Sequence, residues 1–195
     1  MMKTPTRQSG GLMIEILVTI AIVVIGLWGL IEVQARLQKS EMESYQRTQA
    51  LLLLQDMASR IETNRINAAD YVTANPQGSG MACATPAVTD ALDLRDEAEW
   101  CNALQGAAEQ VGGGTNVGAL VGGRGCVQEI VTDRQYMVTV VWQGLTPIAA
   151  PPPEVSCGAG LYNLPAGSPC ADADKADFCR RYVTTMVRIA DLTDL

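Results

Sequence analysis

The sequence predicts an α+β protein: one long N-terminal helix, apolar at first and then amphipathic, packed on a small antiparallel β-sheet that disulfides staple. Three observations carry this reading. Residues 12–31 are an apolar run in which only Glu15 is charged. Residues 32–67 contain neither glycine nor proline and are rich in Gln, Glu, Arg, Ala, Leu and Met, all good helix formers. Residues 125–143 and 181–190 are rich in β-branched and aromatic residues that alternate along the chain, and six cysteines lie beyond the helix.

The first element follows from length and polarity. About 20 apolar residues suffice for a helix to cross a bilayer. Ahead of the run lies a short polar leader with Lys3 and Arg7 and no acid, a bias that holds the N-terminus in the cytoplasm. Glu15 sits four residues into the segment, where a lone charge costs roughly 2.5–3.5 kcal/mol on insertion scales, so it is a functional candidate by default. Secretory signal peptides are cut after their apolar region, beside small residues. Here the small residues, Ser9-Gly10-Gly11, come first. A cut there keeps the apolar helix and discards the basic leader.

This combination resembles the prepilin signal of type IV pilins and pseudopilins, which has a glycine before the cut and a glutamate fifth after it. A cut between Gly10 and Gly11 makes Glu15 the fifth mature residue. The chain departs from the family at Gly11, where phenylalanine is usual. The resemblance implies cleavage and N-methylation by a prepilin peptidase. It also implies that Glu15 meets the new amine of a neighbouring subunit during docking. Two lone charges in hydrocarbon are each costly, and paired they offset one another, which selects register between otherwise slippery helices.

Beyond residue 31 the helix is expected to continue to Asn67, giving a length of roughly 80–85 Å at 1.5 Å per residue. Met42, Tyr45, Leu53, Met57 and Ile61 fall within one broad face suited to packing on a globular domain. Residues 51–54 are all leucine and predict cover on more than one side, and Glu43 can pair with Arg47 at i,i+4. Gly26 and Gly29 read either as a weak point that stretches on assembly or as small residues for close helix packing. Residues 25–30, Ile-Gly-Leu-Trp-Gly-Leu, also resemble a segment of PilV-type minor pilins.

Residues 75–80 read as a loop, and residues 90–110 as a second helix with Thr89 or Asp90 as N-cap and residues 112–114, all glycine, as its stop. Leu94, Trp100 and Leu104 are its expected buried side. The glycines are not a phosphate loop, since no Gly-Lys-Ser/Thr follows, and they read as a flexible connector. Residues 125–132 and 135–143, turning at Asp133-Arg134, form the expected hairpin, and residues 181–190 add a strand with Val183, Val187 and Ile189 on one face. The region around Leu94, Trp100 and Leu104 and the strand that ends in Trp142-Gln143-Gly144 again resemble PilV-type chains. Residues 145–178, rich in proline and bounded by cysteines, predict an ordered, stapled surface loop.

Composition restricts the chemistry. The chain of 195 residues carries a net charge of −7, and loss of Lys3 and Arg7 from its 14 basic residues leaves 12 against 21 acids, or −9. No nucleic acid is expected as partner, because a phosphate-backbone binder needs clustered Lys and Arg. There is no histidine, which excludes Ser-His-Asp and Cys-His catalysis and HExxH zinc sites. No enzyme activity and no cofactor are expected. Cys83, Cys101, Cys126, Cys157, Cys170 and Cys179 contain no CxxC and read as up to three bridges, with fifteen possible connectivities. Cys83–Cys101 and Cys157–Cys170 are plausible local loops, which leaves Cys126 with Cys179. Asp172, Asp174 and Asp177 are a weak calcium candidate without the EF-hand pattern; otherwise no metal site is expected.

The expected organisation is therefore residues 1–10 as cleaved leader, 11–31 as transmembrane and filament-core helix, 32–67 as amphipathic spine, and 68–195 as a pilin-like periplasmic domain. The resemblance implies a single-pass inner-membrane precursor, held in lipid before assembly, that ends in a surface pilus. As a PilV-type minor pilin it would enter the tip or initiating complex at low copy and serve assembly, twitching motility and adhesion. Its partners would be other minor pilins, the major pilin, the prepilin peptidase and the inner-membrane assembly machinery. A minor pseudopilin of a type II secretion system shares the leader, and a signal-anchored periplasmic protein of other function is a third reading.

Overall fold

A computed structural model describes residues 11–107, 110–111, 115–116, 120–163 and 166–190. The leader with Gly10, and glycines 112–114 of the connector, lie outside the described residues. The chain divides into two compact units, Met1–Met42 and Glu43–Leu195.

Helix α1 spans Gly11–Thr63. In the first unit its apolar side chains are exposed, Trp28 at 74 % among them. It is long and apolar enough to cross a membrane. A Cβ at Gly26 or Gly29 would meet nothing within 4 Å, so packing within the chain demands neither glycine.

In the second unit, residues 43–63 of α1 bury Gln46, Ala50, Leu54, Met57 and Ile61. Met42 and Tyr45, expected on this face, are instead about half exposed, at 53 % and 48 %. The sheet's apolar positions decide which arc is covered, and Gln46 and Ala50 fall under it, with Leu53 packed at the margin. Leu51 and Leu52 are exposed, so the expected two-sided cover is absent within this unit. The helix ends four residues before Asn67. Asn64 (φ −103°, ψ 41°) leaves helical geometry, and a 3-10 segment, Arg65–Tyr71, carries Ala68 and Tyr71 into the core.

Strand β1 (Gln77–Gly78) falls inside the stretch read as a loop. Gly78 is required there: its φ is +103°, and a Cβ would lie 2.6 Å from the Gly123 carbonyl oxygen. Helix α2 spans Leu92–Leu104, shorter than expected at both ends. Its N-cap is Ala91, because the Asp90 carboxylate is taken by the Ala87 N–H at 3.0 Å. Its stop is Gly106 at φ +85°: the Gly106 N–H bonds Ala103 O and the Ala107 N–H bonds Asn102 O, a Schellman pair. Trp100 and Leu104 are fully buried as expected, whereas Leu94 is 57 % exposed. Where a flexible connector was expected, β2 (Gln110–Val111) and β3 (Thr115–Asn116) pair across the glycines.

The expected hairpin forms as β4 (Arg124–Val131) and β5 (Gln135–Gln143), with Asp133 at φ +58° in the turn. β6 (Arg180–Arg188) completes an antiparallel sheet in the order β1-β4-β5-β6. Tyr136, Val138, Val140 and Trp142 of β5 join Val127, Val183 and Val187 against the buried stripe of α1. Both faces of β5 are covered, as its sequence implies. On the outer face Cys126 and Val141 pack with Cys157 and Tyr162 from the long loop.

Candidate functional site

Gly11 and Glu15 share α1 one turn apart, about 6 Å along the axis. Glu15 is exposed and is flanked by the exposed apolar side chains of Ile14, Ile16 and Val18. Gly10, the other processing residue, lies outside the described residues.

A second concentration of charge fastens α1 to α2. Arg60 bonds Asp56 at 3.0 Å, Asp96 at 2.6 Å and Glu99 at 2.7 Å. Burial opposes the Arg60 charge, and the bonds to Glu99, Asp96 and Asp56 more than offset it, so its pKa lies above the ordinary value. The Tyr71 hydroxyl donates to Asp96 at 2.6 Å, and burial, then this bond, hold its proton above the usual tyrosine range. Trp100 Nε1–H donates to Leu53 O at 2.9 Å beside them. These mutual bonds make the cluster a fastening between α1 and α2. Sequence reading missed it, although Asp56 and Arg60 at i,i+4 were visible. The pair expected there was Glu43 with Arg47; Glu43 instead lies 3.5 Å from Arg181 of β6.

The third concentration is the loop of residues 145–178. Cys83–Cys101 forms as expected, but Cys126 pairs with Cys157 and Cys170 with Cys179. These replace the expected Cys157–Cys170 and Cys126–Cys179. Cys126 sits on the outer face of β4, so the loop staples to the sheet where it crosses it, while Cys179 just ahead of β6 closes a local turn on Cys170. Arg180 is buried beneath the loop, where its Nη1 donates to Val155 O and Cys157 O, both at 2.7 Å.

Asp177 is committed to this scaffold. Its two oxygens accept from the Gly160 N–H at 3.0 Å, and Oδ2 lies 3.4 Å from Arg180. Asp172 pairs with Lys175 at 3.1 Å and accepts from the Asp174 N–H; the Lys175 bond, then the Asp174 bond, draw its pKa below the ordinary value. The three carboxylates do not converge, and among the described residues no acidic, cysteine or histidine group gathers as a metal set. The calcium candidate is withdrawn.

Two predictions arise here. Reduction is expected to loosen residues 145–178 before it unfolds α1, since two of the three bridges hold that loop and each is typically worth about 2–4 kcal/mol. Hydrogen exchange before and after reductant reads this directly; six free thiols in the native chain would contradict it.

The other concerns alkali. Tyr162 is buried, its hydroxyl donates to Gly122 O at 2.7 Å, and burial pushes its pKa up to about 12 despite opposition from Arg124. A group whose folded pKa is raised stabilises fully below its unfolded value near 10 and loses that contribution as pH climbs toward 12. We expect Tyr162 to account for roughly 2–3 kcal/mol of the fall in urea stability over that interval, the raised Tyr71 adding to the total, so the fall is smaller by about that amount in Tyr162→Phe. An equal fall in both would contradict it.

Comparison of the chain with models of known protein families, with curated proteins and with solved structures finds no match.

Proposed function

We propose that this chain is a PilV-type minor pilin. It is cut between Gly10 and Gly11, is N-methylated, and is delivered from the inner membrane into the tip or initiating complex of a type IV pilus. One observation carries the reading. A basic leader ending in Gly10 precedes a helix, begun at Gly11, whose apolar half bears a single acid, Glu15, and whose second half lies against a small disulfide-stapled sheet. The apolar half of α1 serves first as anchor and then as filament core, and the stapled unit faces the periplasm, where disulfides persist. The partners in this reading are the other minor pilins, the major pilin and the assembly machinery, and the role is assembly, motility and adhesion.

The test is processing. Gly10 replaced by a bulky residue is expected to leave full-length precursor in the membrane, because the peptidase must bind extended backbone where a side chain would intrude. Wild-type chain should also remain uncut in cells lacking the prepilin peptidase. Normal trimming in those cells would refute the proposal.

A further inference from the structure

The four-stranded sheet has two edges, and they differ in how open they are to another strand. β1 is two residues long and holds Gly78 at φ +103°, so it offers little ladder. β6 runs nine residues in unbroken register with β5 and contains neither glycine nor proline. The Ile189 N–H bonds Arg134 O, and the Gly144 N–H bonds Cys179 O. Counting in twos between those points, the backbone groups of Arg181, Val183, Thr185 and Val187 face β5. Those of Tyr182, Thr184, Met186 and Arg188 face outward, with no strand beyond them among the described residues. Natural edges are closed by brevity, proline, bulges or charged side chains; β6 is long, unbulged and free of proline, and of the four outward residues only Arg188 is charged.

The side chains along this edge form a graded surface. Tyr182 and Met186 are 37 % and 40 % exposed, and Thr184 and Arg188 are exposed as well. At its upstream end the Ile148 N–H bonds Phe178 O at 3.0 Å, which sets the exposed Ile148 in line with the open stretch. Arg180 and Arg181 are engaged by Asp177 and Glu43. Arg188 has no ion-pair partner among the described residues.

We infer that β6 is a strand-addition site for a different chain: an extended segment that is apolar where it passes Tyr182 and Met186 and carries an acid opposite Arg188. Main-chain bonds to the outward residues supply affinity, and Ile148, Tyr182, Met186 and Arg188 select the sequence. Charge decides against a second copy. Arg180 and Arg181 are already paired with Asp177 and Glu43, and β6 itself contains no acid, so a second β6 would offer Arg188 no counter-charge. The inference does not depend on assignment to a pilus.

The probe is a short synthetic peptide alternating valine and threonine with glutamate at one end, and a matched peptide with lysine in its place. Each is added to the oxidised full chain in detergent micelles, and exchange of resolved amides is followed. The glutamate peptide is expected to slow the amides of Tyr182, Thr184 and Met186 and to leave those of Thr185 and Val187 unchanged. The lysine peptide should bind about tenfold more weakly, and Arg188→Glu should reverse that preference. Thr184→Pro removes an outward N–H, leaves the ladder with β5 intact, and is expected to abolish protection with an unchanged circular dichroism spectrum. Unprotected edge amides, or a lysine peptide that binds the wild-type chain as well as the glutamate peptide, would overturn the inference. So would protection without peptide that rises with chain concentration, which would assign the edge to a second copy.

Discussion

Glu15→Val is expected to leave the chain's abundance in the membrane unchanged and to lower its abundance in sheared filaments by about tenfold or more. Insertion should be unaffected or improved, because an acid is removed from a helix long and apolar enough to cross a bilayer. On the proposed reading cleavage should largely survive, since the peptidase would read chiefly the glycine. Assembly, on that reading, is where the acid acts. Without it, the amine of a neighbouring subunit enters a low-dielectric core with no counter-charge, at a cost of several kcal/mol. Fold should not change, because Glu15 belongs to the first unit and the buried core lies in the second. The ratio of the two abundances checks this, and a wild-type ratio would remove Glu15 from the docking role.

Trp100→Ala is expected to have the largest effect on stability, about 3–5 kcal/mol. The indole is fully buried, and its Nε1–H donates to Leu53 O of α1. Its ring also fills the space over Gly125 of β4, where an added Cβ would overlap the ring. Truncation thus opens a cavity where α1, α2 and β4 meet and breaks a bond between the two helices. Against a total of roughly 5–15 kcal/mol for a domain, that loss is a large fraction. Urea unfolding of the oxidised chain measures it. Trp100→Phe, which keeps most of the volume and loses the N–H, should cost less. An unchanged midpoint for Trp100→Ala would contradict the packing argument.

The sequence carried those features that rest on local pattern. The apolar run and the helix formers of residues 32–63 are read from local composition, and β4, β5 and β6 from alternation set by backbone geometry. Features that depend on what lies across space were not legible. Met42 and Tyr45 share an arc with Met57 and Ile61, yet only the position of the sheet decides that Gln46 and Ala50 are covered in their place. Cys126 pairs with Cys157 because the loop crosses the outer face of β4, a path that spacing does not contain. Gly106, by contrast, was legible: a glycine directly after a helical pattern ends it, and the more conspicuous glycines of residues 112–114 drew the boundary too far downstream. At the N-terminus, Gly10, Gly11 and Glu15 are a motif readable from sequence alone, and the fold adds that Gly11 and Glu15 stand one turn apart on one helix.

Intact mass of the chain purified from cells tests the central claim most directly. The account predicts a polypeptide that begins at Gly11, is heavier by one methyl group on its amine, and is lighter by the six hydrogens lost in three disulfides. A mass that retains residues 1–10, or one that shows cleavage after the apolar run, would contradict it.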